Sequence, residues 1–340
     1  MISQMLAEAR EVPDAVARHL ASSADTFAAL GSSLRASPPQ GVLTVARGSS
    51  DHAAHYMAYL TMARLGRLVT SLPMSLVTLY ATQLQCQGLL SVAFSQSGQS
   101  PDLVAPTRQV SRGGGTSVAI VNDSQSSLAQ AADWVLPLAA GPETSIAATK
   151  SYVSQLVAGA RLVAHWQDDR VLLEALDDLP HHLRHALEMD WQPMVQALTD
   201  ASRLYVIGRG TGLAVAMEAA LKLKEVCGLQ AEAFSAAELR HGPMALVGEG
   251  YPVLVFAPRG PAQAGLLALA SDLRKHGAKV LLAAPPDQPD ADLLLAPAAH
   301  EDLDPLTVIT SFYPAVEALA RARGLDPDSP RHLAKVTRTQ

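Results

Sequence analysis

The chain runs through one plan twice. Residues 41–66 (GVLTVARGSSDHAAHYMAYLTMARLG) pass from a β-branched apolar run through a Gly/Ser turn into a helix-period stretch. Residues 202–228 (SRLYVIGRGTGLAVAMEAALKLKEVCG) follow the same course, with Gly48 and Gly208 standing 160 positions apart. Residues 89–122 have their counterpart at 251–284, and 134–162 at 293–323, with Pro137 and Pro297 again 160 apart. Three blocks in one order at nearly one offset make two copies of a single domain the expectation. A length of 340 residues agrees, at roughly 100–200 residues per domain.

The short apolar runs LLSVAFS, TSVAIVN, YPVLVFA and AKVLLAA are continuous rather than alternating, which suits parallel strands covered on both faces. Helix-period stretches separate them. Each copy is therefore expected to be a doubly wound α/β domain, a short parallel sheet flanked by helices. The expected boundaries are an amphipathic leading helix pair at 1–35, a first domain at 36–164, a polar helical linker at 165–200, a second domain at 201–325 and an irregular tail at 326–340.

Charged residues make up 17% of the chain, below the roughly 25% of an ordinary soluble protein, while 49% are hydrophobic. Large buried areas follow, within domains or between subunits, and a homodimer is expected. A net charge of −6 without any Lys/Arg run excludes the electrostatic footprint of a nucleic-acid binder. No window reaches about 20 apolar residues, and the start MISQMLAEAREVPDAV lacks a basic segment followed by an apolar one. No membrane association is expected, and a cytoplasmic location is. Cys86 and Cys227 form neither CxxC nor zinc-ligand spacing, and read as small core residues. His52/His55 and His181/His185 have helical spacing without accompanying carboxylates, so they read as surface or packing residues, and neither a metal nor a cofactor is expected.

In a parallel α/β sheet, ligands sit beyond the carboxyl ends of the strands. Two turns of the first copy there are rich in hydroxyls: Gly48-Ser49-Ser50, and Ser95-Gln96-Ser97-Gly98-Gln99-Ser100. Small residues let backbone amides approach an anion, and several Ser hydroxyls wrap phosphate oxygens without a Lys. Such clusters also serve as plain turns and helix caps. Two of them at equivalent strand ends favour a phosphate ester. The second copy has APRGPAQ in place of FSQSGQS, so one site per chain is expected, seated mainly in the first half.

The second copy keeps a different feature. Its helix LAVAMEAALKLKEVC is apolar apart from Lys224 and the stripe of Glu218, Lys222 and Glu225, which spans about 60° of the helix circumference. Either the stripe faces a polar cavity or it is a solvated i,i+4 pair; its apolar flanks oppose full solvation. Shortly after, His241 precedes Gly242-Pro243, which places it in a loop or at a helix end, where it can move protons near neutral pH.

With these residues in place the sequence resembles double-SIS (sugar isomerase) proteins, in particular the isomerase half of glutamine:fructose-6-phosphate amidotransferase. The resemblance covers about 41–340, anchored by ARGSS (46–50), SQSGQS (95–100), GPETSIAATKSY (141–152), EAALKLKE (218–225), AEAFSAAELRHGPMAL (231–246) and PRHLAKV (330–336). It implies that Gly48, Ser49, Ser50, Ser95, Gln96, Ser97 and Ser100 bind the sugar phosphate, with the backbone of Ile146 and Ala147 lining the sugar. It implies that Glu225 moves a proton between C1 and C2 beside the cation Lys222, with Glu218 completing the set. His241 is implied to open the ring from the partner subunit, and Lys335 to reach the open-chain sugar.

Departures from the family pattern select the reaction. Arg47 stands where the family has Cys, Gln99 where it has Glu and Ser100 where it has Thr. With about 40 residues before the first SIS strand, no glutaminase domain is expected. The expected activity is deamination of glucosamine 6-phosphate to fructose 6-phosphate and ammonia through an enolamine, with no nicotinamide or metal. A deaminase, deglycase or isomerase for another hexosamine or fructosamine 6-phosphate stands beside it, because no motif marks the residues that read sugar stereochemistry. A non-catalytic sugar-phosphate sensor is opposed by joint retention of Glu218, Lys222, Glu225, His241 and Lys335. A dinucleotide oxidoreductase built on Gly208, Gly210, Gly212 and Glu232 is opposed by a glycine spacing that is not GxGxxG.

Overall fold

A computed structural model describes residues 2–335. Met1 and residues 336–340 lie outside it, so the expected tail at 326–340 is described as far as Lys335. The chain forms two compact units. One contains residues 14–143 and 150–177 with the described residues from Ala334; the other contains the described residues up to Pro13, 144–149 and 178–333.

Three helices open the chain where a pair was expected: α1 (Gln4–Arg10), α2 (Val12–Ala21) and α3 (Ala24–Ala36). Ser23, at φ 58°, ends the run before α3, and Ser3 caps α1 by accepting from Leu6 N. There follow β1 (Gly41–Val45), α4 (Ser49–Leu65), β2 (Val69–Ser71), α5 (Ser75–Thr78), β3 (Leu89–Ser95), α6 (Pro101–Arg112), β4 (Thr116–Val121), β5 (Trp134–Pro137) and α7 (Lys150–Gln167). After α8 (Arg170–Leu187) and α9 (Gln192–Leu198), the second copy comprises β6 (Arg203–Gly208), α10 (Gly212–Cys227), β7 (Gln230–Ser235), β8 (Pro252–Phe256), α11 (Gln263–Lys275), β9 (Lys279–Ala284), β10 (Leu293–Leu294) and α12 (Asp304–Ala322).

The sequence repeat is a repeat of topology. The first sheet has the order β2-β1-β3-β4-β5 and the second β7-β6-β8-β9-β10, the same order copy by copy, with every described strand pair parallel. Expectation and structure agree on tandem α/β units with short parallel sheets. The continuous apolar runs are the central strands: β3 and β4 are buried over nearly their whole length, as are β8 and β9. The cores form on the sheet faces, around Val45, Ala93, Val121 and Leu103 in one unit and Val253, Val255, Leu266 and Leu282 in the other.

In the first unit α7 is buried on nearly every face and packs on α3 and α4. Its Arg161 donates to the carbonyls of His19, Leu20 and Ser22, satisfying the C-terminal end of α2, and stacks over the Phe27 ring at 4.7 Å. Cys86 and Cys227 are free and buried. Among the described residues no helix is long and apolar enough to cross a membrane.

Candidate active site

An open α/β sheet of order 2-1-3-4-5 has its topological switch point between the first and third strands, where successive crossovers leave for opposite faces and open a crevice. The two hydroxyl turns follow β1 and β3, the strands that flank this crevice in the first unit. Topology thus brings together Gly48, Ser49, Ser50 and Ser95 to Ser100, which are about 50 residues apart in sequence.

Their local geometry departs from ordinary capping. Gly48 is the N-cap of α4 at φ 56°, and Ser100 is the N-cap of α6 in extended conformation with no side-chain cap bond. The Ser100 hydroxyl is therefore not used by its helix. Ser95 Oγ accepts from Gly98 N at 2.9 Å and Ser97 Oγ from Gln99 N at 3.3 Å; accepting leaves each hydroxyl hydrogen for donation. Gly98 sits at φ 63°, and a Cβ there would stand 2.2 Å from Ser126 Oγ, so the turn can close over Ser126 only with glycine. Arg47, 58% exposed, reaches Asp102 in the first turn of α6 with Nη2 4.0 Å from Oδ2, laying a guanidinium between the two turns.

The second copy has filled the equivalent place. The turn after β8, residues 257–262, has no hydroxyl side chain. Arg259 from that turn meets the buried Asp304 at the start of α12, with Nε–Oδ2 2.8 Å and Nη2–Oδ1 2.7 Å. Ala298 N donates to the same carboxylate at 2.9 Å. The turn that follows β8 is thus tied by an internal ion pair to the start of α12 instead of presenting hydroxyls.

On α10 the charged stripe is buried. Lys222 Nζ lies 3.3 Å from Glu218 Oε1 and 2.5 Å from Glu225 Oε2, with Glu218 and Lys222 essentially inaccessible and the Glu225 side chain 19% exposed. The solvated-pair alternative is ruled out by that burial. Burial by itself would lower the Lys222 pKa, but the charges of Glu218 and then Glu225 outweigh it and raise it, so the ammonium stays charged. Glu225 is the more accessible of the two carboxylates, bordering a cleft of about 770 Å³ between the end of α10 and residues 323–333, with Leu221, Lys224 and Arg331 among its walls.

The remaining expected residues fall as follows. His241 is exposed at the end of a short 3-10 turn, Glu238–His241, followed by Gly242 at φ 140°. Ile146 and Ala147 lie in the 144–149 segment, which belongs to the same unit as α10. Lys335 belongs to the unit of the hydroxyl turns, and its Nζ is 3.0 Å from Glu143 Oε2. Among the described residues no group of three or more His, Cys, Asp or Glu side chains stands ready to hold a metal ion.

Two carboxylates were missed. Glu8 on α1 is buried and accepts from Thr144 N at 2.5 Å, Thr144 Oγ1 at 3.1 Å and Ser145 N at 3.2 Å, fixing the backbone that leads into Ile146. No sequence signal marks it, because it is one acidic residue in a short amphipathic helix. Glu143 accepts from Ser151 N at 3.1 Å and Ser151 Oγ at 2.5 Å, as well as from Lys335. Its signal was available: a carboxylate inside the GPETS stretch, between a strand end and a helix start.

A doubly wound sheet repeated within one chain, with the open turn pair kept in one copy, places the molecule among duplicated α/β proteins. A profile of the SIS domain matches residues 38–164 and 197–285, and the chain belongs to the SIS-domain family. It is 34% identical over 299 residues to glutamine–fructose-6-phosphate aminotransferase (isomerizing) of Methanothermobacter thermautotrophicus, matching 86% of this chain and 50% of the relative. The chain spans about half the length of the curated relatives it matches. A solved structure from Silicibacter pomeroyi, assigned as a phosphosugar isomerase, is 43% identical with a TM-score of 0.91, covering 96% of this chain and 100% of that one. The C-terminal domain of glucosamine-fructose-6-phosphate aminotransferase from Francisella tularensis is 25% identical with a TM-score of 0.86, covering 97% and 99%.

Proposed function

We propose that the protein is an amino-sugar-phosphate deaminase of the phosphosugar isomerase class, converting glucosamine 6-phosphate and water to fructose 6-phosphate and ammonia. The observation that carries this reading is the buried Glu218–Lys222–Glu225 set, in which an ammonium whose pKa is raised by its neighbours adjoins one partly accessible carboxylate. Proton transfer between adjacent carbons needs a carboxylate that reaches both, with a cation to hold the oxyanion that develops.

In this reading the hydroxyls and amides of Gly48–Ser50 and Ser95–Ser100 hold the phosphate and orient the sugar from its non-reacting end. His241, supplied by a second copy in a homodimer, moves the proton that opens the hemiacetal ring. Glu225 then removes the C2 proton to give an enolamine, and returns a proton to C1. C1 is reduced and C2 oxidised within the substrate, leaving a ketimine that water hydrolyses with release of ammonia. Lys335 acts on the open-chain sugar. Arg47, Gln99 and Ser100, the departures from the amidotransferase pattern, support deamination over synthesis.

The test is a panel of hexosamine and fructosamine 6-phosphates with assays for ammonia and ketose phosphate. Ammonia and fructose 6-phosphate from glucosamine 6-phosphate, abolished by Glu225→Gln, are expected. Turnover of a different amino-sugar phosphate alone would reassign the substrate, and tight sugar-phosphate binding without turnover would make the protein a sensor.

A further inference from the structure

Glu143 is a fully buried carboxylate to which no part of the proposed reaction assigns a role. It follows β5 and precedes α7, so it lies at the carboxyl edge of the first sheet, the edge that carries both hydroxyl turns. Ser151, in the first turn of α7, gives it a backbone amide at 3.1 Å and a hydroxyl at 2.5 Å. Both bonds fix the carboxylate at the start of α7. Its Oε2 also accepts from Lys335 Nζ at 3.0 Å, 192 residues away in sequence. The Lys335 side chain is only 24% exposed, although the segment from Arg331 to Ala334 that leads to it is open to solvent.

A buried carboxylate that accepts from Ser151 and also from Lys335, on an otherwise exposed segment, is a docking point rather than a surface pair. We propose that Glu143 is a positioning residue for Lys335: it draws the ammonium to the carboxyl edge of the first sheet and holds it in one place there. This rests on the reading of Lys335 as the group that meets the open-chain sugar. A lysine on a tail without such an anchor would spread over many positions, and ordering it only at the reacting step would add to the barrier. Ser151 in turn sets the direction of the carboxylate.

Two readouts test this, one of them independent of any substrate. In the first, the full-length protein is treated with a low ratio of acetic anhydride, and labelling of Lys335 is measured by peptide mass spectrometry against the exposed Lys275. Lys335 is expected to label several-fold more slowly than Lys275 in the wild type. In Glu143→Gln this protection is expected to fall at least about 5-fold while the thermal transition persists. Ser151→Ala, which keeps the buried charge, is expected to shift labelling in the same direction and carries the measurement should Glu143→Gln fail to fold. Unchanged Lys335 labelling in a folded variant overturns the proposal. In the second readout, Glu143→Gln and Lys335→Met are each expected to lower kcat about 10-fold or more with KM changed less than about 3-fold, and the double variant to be no slower than Lys335→Met alone. Multiplying effects overturn the proposal. If no sugar phosphate turns over, the deaminase reading fails and the labelling result still decides the docking.

Discussion

Lys222 Nζ lies 2.5 Å from Glu225 Oε2, on residues one helical turn apart in a helix whose charged stripe is buried. The ammonium sits between two carboxylates, and removing it takes a charge partner from the buried Glu218. Lys222→Met is expected to cost about 3–5 kcal/mol, the usual loss when one partner of a buried ion pair is deleted. Glu225→Gln, at the accessible end, is expected to cost less than Lys222→Met while abolishing turnover. Denaturant unfolding of both variants beside the wild type checks the order, and equal losses would contradict the division of roles along α10.

Arg47 contributes a guanidinium to the crevice between the two hydroxyl turns, held loosely at 4.0 Å by Asp102. The separation and exposure leave most of its donors open. Arg47→Ala is expected to raise KM for a sugar phosphate about 3- to 30-fold and to leave kcat within a factor of about 2, the pattern of lost uniform binding. A change in kcat alone would place Arg47 in the chemistry instead.

Gly98→Ala tests the phosphate turn without touching a charge. The new Cβ would meet Ser126 Oγ at 2.2 Å from a backbone at φ 63°, so the turn must shift. An expected cost of about 1–3 kcal/mol should come with at least about 10-fold weaker sugar-phosphate binding by calorimetry. Wild-type affinity in this variant would remove the turn from the binding site.

His19 is buried on α2 with Nδ1 3.1 Å from the Leu138 carbonyl, and burial, then the Arg161 charge, lowers its pKa to about 4. The unfolded chain, titrating near 6.5, binds more protons between these values. Stability from this residue is therefore complete above about pH 6.5 and lost as pH falls towards 4, by up to about 3 kcal/mol. His19→Gln should flatten the dependence of unfolding free energy on pH across that window, and parallel curves would assign the acid sensitivity elsewhere.

Mixing tests the subunit-crossing histidine of the proposed dimer. Inactive Glu225→Gln and His241→Ala chains, exchanged into mixed dimers, are expected to recover up to about a quarter of wild-type activity if each site takes one residue from each chain. No recovery after confirmed exchange would mean that the site is built within one chain.

The fold was legible because burial on both faces writes itself as continuous apolar runs: LLSVAFS and TSVAIVN are β3 and β4 almost residue for residue. The edge strands were not. β2 has three residues and β10 two, too short to carry a period, and β7 lies at the sheet edge with a single fully buried residue, so it lacks a continuous apolar run. The hydroxyl turns could be read because small polar residues cluster where a strand hands over to a helix. The fixing of Thr144 and Ser145 by Glu8 could not, because it joins positions 136 and 137 apart largely through backbone amides, which leave no side-chain signature. The leading segment reads as two helices because the stop at Ser22–Ser23 depends on one residue in a left-handed conformation, which serine reaches without announcing it.

The Arg259–Asp304 fork has a consequence for how the protein responds to its surroundings. A binding site left open couples the stability of its unit to the concentration of whatever occupies it, by RT ln(1 + [L]/Kd). In the second copy the corresponding turn carries Arg259, bonded within the chain to Asp304 at 2.7 and 2.8 Å. On the proposed function, the hydroxyl turns of the first copy are the place that responds to the supply of phosphate esters. If that reading holds, one half of the duplicated chain is thermodynamically deaf to metabolite and the other listens.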